Sequence, residues 1–187
     1  MPLWFASFLF FLGIEGLFTF LRTYVDDRQV GSVGLFFAVY GASAAITRIV
    51  GGSRYDARPH RALLVTSVAV FGSGLVLLAV AQPASVMILS AFVTGTAHGT
   101  AVSLMSSEVI NRARVSKRGS AVSIFTSIFD MALLFGAPLV GFMIDGISYL
   151  VAFSVAGAVI IGGSFVYGLW DRRLSVDSTL VAEEVLE

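Results

Sequence analysis

The chain has 187 residues and no net formal charge; 57% of the residues are hydrophobic and only 13% are charged. A soluble domain is about 25% charged, so a chain with a mean hydropathy of +0.89 has too little polar surface to wrap a globule in water, and most of it must be solvated by lipid. The balanced charge gives no general attraction to nucleic acid, and the absence of cysteine removes disulfides and thiolate metal sites.

Polar interruptions divide the chain into six apolar runs, at 3–24, 30–51, 62–81, 84–109, 119–144 and 149–170, followed by a polar tail at 171–187. Each run is long enough to cross a hydrocarbon core of about 30 Å as a helix. Lipid leaves a backbone no partner but itself, so runs of this length form helices. The expected fold is therefore all-α, a polytopic membrane protein with six transmembrane helices. Met1-Pro2-Leu3-Trp4 carries no basic region, so no cleavable signal is expected.

The basic residues give the orientation. With both termini in the cytoplasm, that side holds Arg48, Arg54, Arg58, Arg61, Arg112, Arg114, Lys117, Arg118, Arg172 and Arg173, against Arg22 and Arg28 on the other. The expectation is a plasma-membrane protein with both ends inside. The first helix alone reads the other way, with no basic residue before it and two after. A basic segment upstream would remove that conflict and points to a missing N-terminal partner. Arg22 and Tyr24 read as interface anchors of the first helix.

Three ionisable residues fall within the apolar runs: Glu15 in the first, His98 in the fourth and Asp130 in the fifth. An ionisable group at mid-bilayer costs about 2.5–3.5 kcal/mol, so each needs a reason. They are candidates for substrate binding or proton coupling, because a carboxyl group facing a polar cavity can take and release a proton as the cavity opens to each side. The bland reading is a hydrogen-bonded structural group, and it weighs most for His98. Glu108, at the basic end of the fourth run, is expected to pair with nearby basic residues, and Arg48 to reach the interface by snorkelling. Aromatic residues crowd the first two runs, Phe11, Phe18 and Tyr40 among them, without singling out a cavity.

Arg48 to Arg61, with Gly52 and Asp56 at the characteristic spacing and Arg61 as a closing basic position, resembles the loop signature of the major facilitator superfamily in its weaker second-half copy. Ala57, Pro59 and His60 depart from the pattern. Arg118-Gly119 leading to Gly136-Ala137-Pro138-Leu139-Val140-Gly141 and Asp145 is similar to the eleventh helix of the same superfamily. There Gly136 and Gly141 permit close helix contact and Pro138 a bend. The resemblance implies the C-terminal six-helix half of a twelve-helix transporter. It implies a substrate site between two halves, and a cytoplasmic gate at Gly52, Asp56 and Arg61 with Arg48, Glu108 and Arg118 as partners. One half lacks the other wall of the site, so the implied partners are a small-molecule substrate, the bilayer, and either a missing N-terminal half or a second copy.

Proton-coupled efflux of a small solute is the leading expectation, with an inactive or structural subunit as the alternative. An intramembrane serine protease would need a histidine opposite Ser73 in Gly72-Ser73-Gly74, which reads better as a packing face. No enzyme activity, metal or cofactor is expected: there are two histidines, scattered carboxylates and no phosphate-binding loop.

Overall fold

The computed structural model describes residues 2–55 and 60–184, and side chains over 2–51 and 60–173. The described residues form six helices: α1 (Pro2–Arg28), α2 (Val33–Tyr55), α3 (His60–Ala79), α4 (Ala84–Arg112), α5 (Arg118–Gly146) and α6 (Tyr149–Glu184). A 3-10 turn at Val115–Lys117 leads into α5. All six are long and apolar enough to cross a membrane. Several outrun their apolar stretches. α1 continues through Asp26 and Asp27, and α6 continues past residue 171 into the polar tail. Hydropathy marks where hydrocarbon ends, whereas helical hydrogen bonding continues wherever the flanking residues allow it.

The packing is pairwise and symmetric. α3 lies along α6, α2 packs on α4, α5 on α1, α3 on α4 and α6 on α1, while α1 and α4 barely touch. Exchanging α1, α2 and α3 with α4, α5 and α6 maps this set of contacts onto itself. Three helices reverse the direction of the chain, so the two triplets form an inverted-topology repeat.

Small residues set the closest approaches, as they do where lipid supplies no hydrophobic drive between helices. A methyl group on Gly72 of α3 would stand 2.6 Å from the Gly157 carbonyl oxygen, and one on Gly157 of α6 would stand 2.5 Å from the Gly72 carbonyl oxygen. The two backbones therefore touch at that crossing. Ser90 of α4 donates to the Gly74 carbonyl of α3 at 2.8 Å. Tyr24 is fully buried against neighbouring helices. Its hydroxyl lies 2.7 Å from the Leu78 carbonyl and 3.0 Å from that of Ala81. It thus joins α1 to the turn that follows α3, where the Leu78 carbonyl also accepts from the Ala81 N–H at 3.0 Å. Ser73 is exposed and donates to its own helix at Ala69.

α2 and α5 are the least enclosed helices: 22% and 17% of their apolar windows are buried, against 56% for α1. Both flank the loose α1/α4 seam. Exposed apolar side chains such as Ile49, Leu134 and Phe142 suit a lipid or protein neighbour rather than water.

Candidate functional site

The seam between α1, α4 and α5 holds a cavity of about 240 Å³ near mid-helix, lined by Phe11, Ile14, His98, Val102, Phe125, Thr126 and Phe129. Phe11 meets Phe125 at 5.5 Å and Phe129 edge-on at 5.2 Å between ring centres. A second cavity of about 290 Å³ lies between the same helices at Leu3, Trp4, Val109, Arg112, Ala113 and Ala121. Trp4 precedes Phe11 by seven residues, about two helical turns. The two openings therefore lie along one seam, running from the basic end toward the middle.

His98 reaches the wall of the mid-helix cavity from α4. Its Nδ1 is hydrogen-bonded to the hydroxyl of Tyr40 on α2, and their rings meet edge-on at 5.5 Å. Gly95 and Gly99 make this possible. A methyl group on Gly99 would stand 2.5 Å from the Ala44 carbonyl oxygen, and one on Gly95 2.9 Å from the Tyr40 carbonyl carbon. The Gly-x-x-x-Gly face thus seats α2 directly on α4, and Tyr40 bridges the gap to the imidazole.

Glu15 is buried on α1, one residue beyond Ile14 of the cavity wall. Among the described residues no hydrogen bond or ion pair reaches its carboxyl group. Gly136 brings α5 against it: a methyl group there would stand 3.1 Å from the Leu12 carbonyl oxygen and 3.3 Å from the Glu15 Cβ. Gly141 faces the Phe20 ring, and α5 continues through Pro138.

Asp130 is placed differently. It is exposed on α5, one residue beyond Phe129. Ser123, Ser127 and Asp130 follow at helical spacing and share one outward face. The serine hydroxyls bond back to Gly119 and Ser123. Among the described residues Asp130 has no ion-pair partner on a neighbouring helix.

At the basic end, Glu108 accepts from Arg112 Nε at 2.7 Å and lies 3.0 Å from His60 Nδ1. Arg112 also holds Asp171 through both terminal nitrogens, at 2.6 and 3.2 Å. The buried Tyr167 hydroxyl adjoins Arg112. This network ties α3, α4 and α6 together. Among the described residues, no hydrogen bond or ion pair is seen between this network and Arg48, Arg61 or Arg118. Gly52 falls in the last turns of α2, and Asp56 lies outside the described residues.

The sequence reading had not singled out Tyr40, Arg112, Asp171 or His60. Two signals were available: the Gly95/Gly99 pair around His98, and the four-residue spacing of Glu108 and Arg112.

A profile of the Major Facilitator Superfamily matches residues 3–184. The chain is 24% identical over 162 residues to "Uncharacterized MFS-type transporter STM4428" of Salmonella typhimurium, a match covering 87% of this chain and 42% of that protein. It is 26% identical over 164 residues to "Uncharacterized MFS-type transporter YwfA" of Bacillus subtilis, covering 84% of this chain and 39% of that protein. The chain therefore spans well under half the length of these relatives.

Proposed function

The chain belongs to the major facilitator superfamily, and on that premise we propose that it forms one six-helix half of a proton-coupled efflux transporter for a small solute. The observation that carries this reading is Glu15, a buried acid on α1 that no hydrogen bond or ion pair reaches among the described residues, next in sequence to Ile14 of the cavity wall. A buried carboxylate with no counter-charge is costly, so this position is suited to a group that changes its protonation as the cavity changes its exposure. Glu15 and Asp130 take the coupling role, and His98 contacts the substrate.

The cavity lies in the seam where α1 and α4 barely touch. Rocking of one six-helix unit against another would open that seam alternately to each side. The other wall comes from a second unit: first choice the remainder of a longer chain, then a separate N-terminal half, then a second copy. The uncovered α2 and α5, with Asp130 in the open, favour such a neighbour. The basic end faces the cytoplasm of a plasma membrane. There Arg48, Gly52, Asp56, Arg61, Glu108 and Arg118 form the gate region, and the Arg112 network keeps α3, α4 and α6 together as it moves.

Proton-driven flux in vesicles tests this reading. A panel of dyes and sugars is measured with the chain alone, and with an upstream six-helix segment from the Bacillus subtilis relative. Flux lost in Glu15→Gln, with insertion unchanged, is the expected result. Flux insensitive to that substitution would remove Glu15 from coupling.

A further inference from the structure

We propose that the α1/α4/α5 cavity binds an uncharged aromatic molecule through a hydrogen-bond acceptor on that molecule, with His98 as the donor and Tyr40 as the residue that positions it. The inference rests on the transport reading only in treating this molecule as cargo.

Proton bookkeeping gives His98 its role. A phenol offers one proton, and a neutral imidazole has one donor and one acceptor nitrogen. Tyr40 is buried, and among the described residues its hydroxyl has no partner besides His98 Nδ1. If Nδ1 carried the proton, the phenol proton would be buried without an acceptor, which proteins avoid. Tyr40 therefore donates to Nδ1, which leaves the imidazole proton on Nε2. His98 also reaches the cavity wall, so what it has left to offer there is an N–H.

The rest of the wall defines the ligand. Phe11, Phe125 and Phe129 supply ring faces and edges, and Ile14 and Val102 supply aliphatic surface. Thr126 already gives its proton to the Val122 carbonyl at 3.2 Å, so its oxygen can only accept. No carboxylate, lysine or arginine belongs to this wall. Aromatic surface with a single N–H donor suits a flat, neutral molecule carrying a carbonyl, ether or ring-nitrogen acceptor. A charged ligand would find no counter-charge in the wall itself.

Tritiated benzophenone, an uncharged aromatic ketone that crosslinks on irradiation, is the probe, used with the full chain in lipid nanodiscs. Crosslinks should map to Phe11, Val102 or Phe125. Unlabelled benzophenone should compete about ten-fold better than diphenylmethane, which has the same rings and no acceptor. Tyr40→Phe and His98→Phe should bring that ratio close to one while diphenylmethane still binds, a pattern that loss of folding would not give. His98→Gln, which keeps an N–H donor, should restore part of the ratio. A ratio near one in the unaltered chain, crosslinks confined to other helices, or better displacement by tetraphenylphosphonium would each overturn the proposal. These are equilibrium measurements. Absent flux with the ratio intact would count against the transport reading alone, and flux with a ratio near one would count against this inference alone.

Discussion

Arg112 holds two carboxylates on two helices, and the three groups differ in exposure. Its own side chain is 42% exposed, while those of Glu108 and Asp171 are 13% and 11% exposed. The carboxylates are thus largely desolvated and the guanidinium is still partly in water. Two parallel N–H donors to Asp171 give the pair the fork geometry that makes arginine–carboxylate contacts stronger than ordinary surface pairs. A double-mutant cycle of Arg112→Ala and Asp171→Ala, read from thermal unfolding in detergent, should give a coupling energy of about 1–2 kcal/mol. An exposed surface pair would give under about 1 kcal/mol, and a value in that range would show that the network does not fasten α6 to α4. Arg112→Lys should keep the charge but lose the bidentate contact, recovering less than half of the coupling. The sequence showed Glu108 and Arg112 one turn apart on one helix. It could not show Asp171, 59 residues further on and read as part of a polar tail, because that contact depends on how α4 and α6 are rotated against each other.

Among the helices, the six spans were legible because lipid permits few alternatives. A run of about twenty apolar residues must satisfy its own backbone, and a helix does so. Rotation was not legible. Glu15 and Asp130 look equivalent in sequence, each an acid in an apolar run, yet one is buried against α5 and the other faces outward. What decides rotation is the set of glycines that meet a neighbour, and a glycine in sequence does not announce whether it does. α6 contains both kinds. Gly157 touches the α3 backbone, whereas nothing approaches Gly162 within 4 Å. Gly157→Ala should force the α3/α6 crossing apart and destabilise the protein by about 2 kcal/mol, as overpacking does elsewhere. Gly162→Ala adds only helix propensity and should be neutral or stabilising by up to about 1 kcal/mol. Thermal melts of the two variants side by side would decide this. Equal melting points would mean that the α3/α6 crossing tolerates separation and is not the fixed axis of the fold.

For the molecule as a whole, the decisive feature is a polar face that six helices leave uncovered. In lipid, Asp130 with the serines of the same face would be expensive; beside a second six-helix unit or a water-filled cavity it would not. The two cases can be separated at constant depth. Met131 is the next residue, turned by about 100° around α5, and is 51% exposed. With no cysteine in the chain, Asp130→Cys and Met131→Cys each carry a single thiol. Maleimides react with the thiolate, which forms in water and not in hydrocarbon. In vesicles a membrane-impermeant maleimide should label Asp130→Cys at least about ten-fold faster than Met131→Cys, since burying the thiol in lipid suppresses its ionisation. Equal, slow labelling at both positions would place the whole outward side of α5 in lipid. Asp130 would then have no cavity to serve, and the case for a second unit against α2 and α5 would fall with it. Fast labelling of Asp130→Cys that slows when the upstream six-helix segment is added would show that segment covering this face, as a neighbouring half requires.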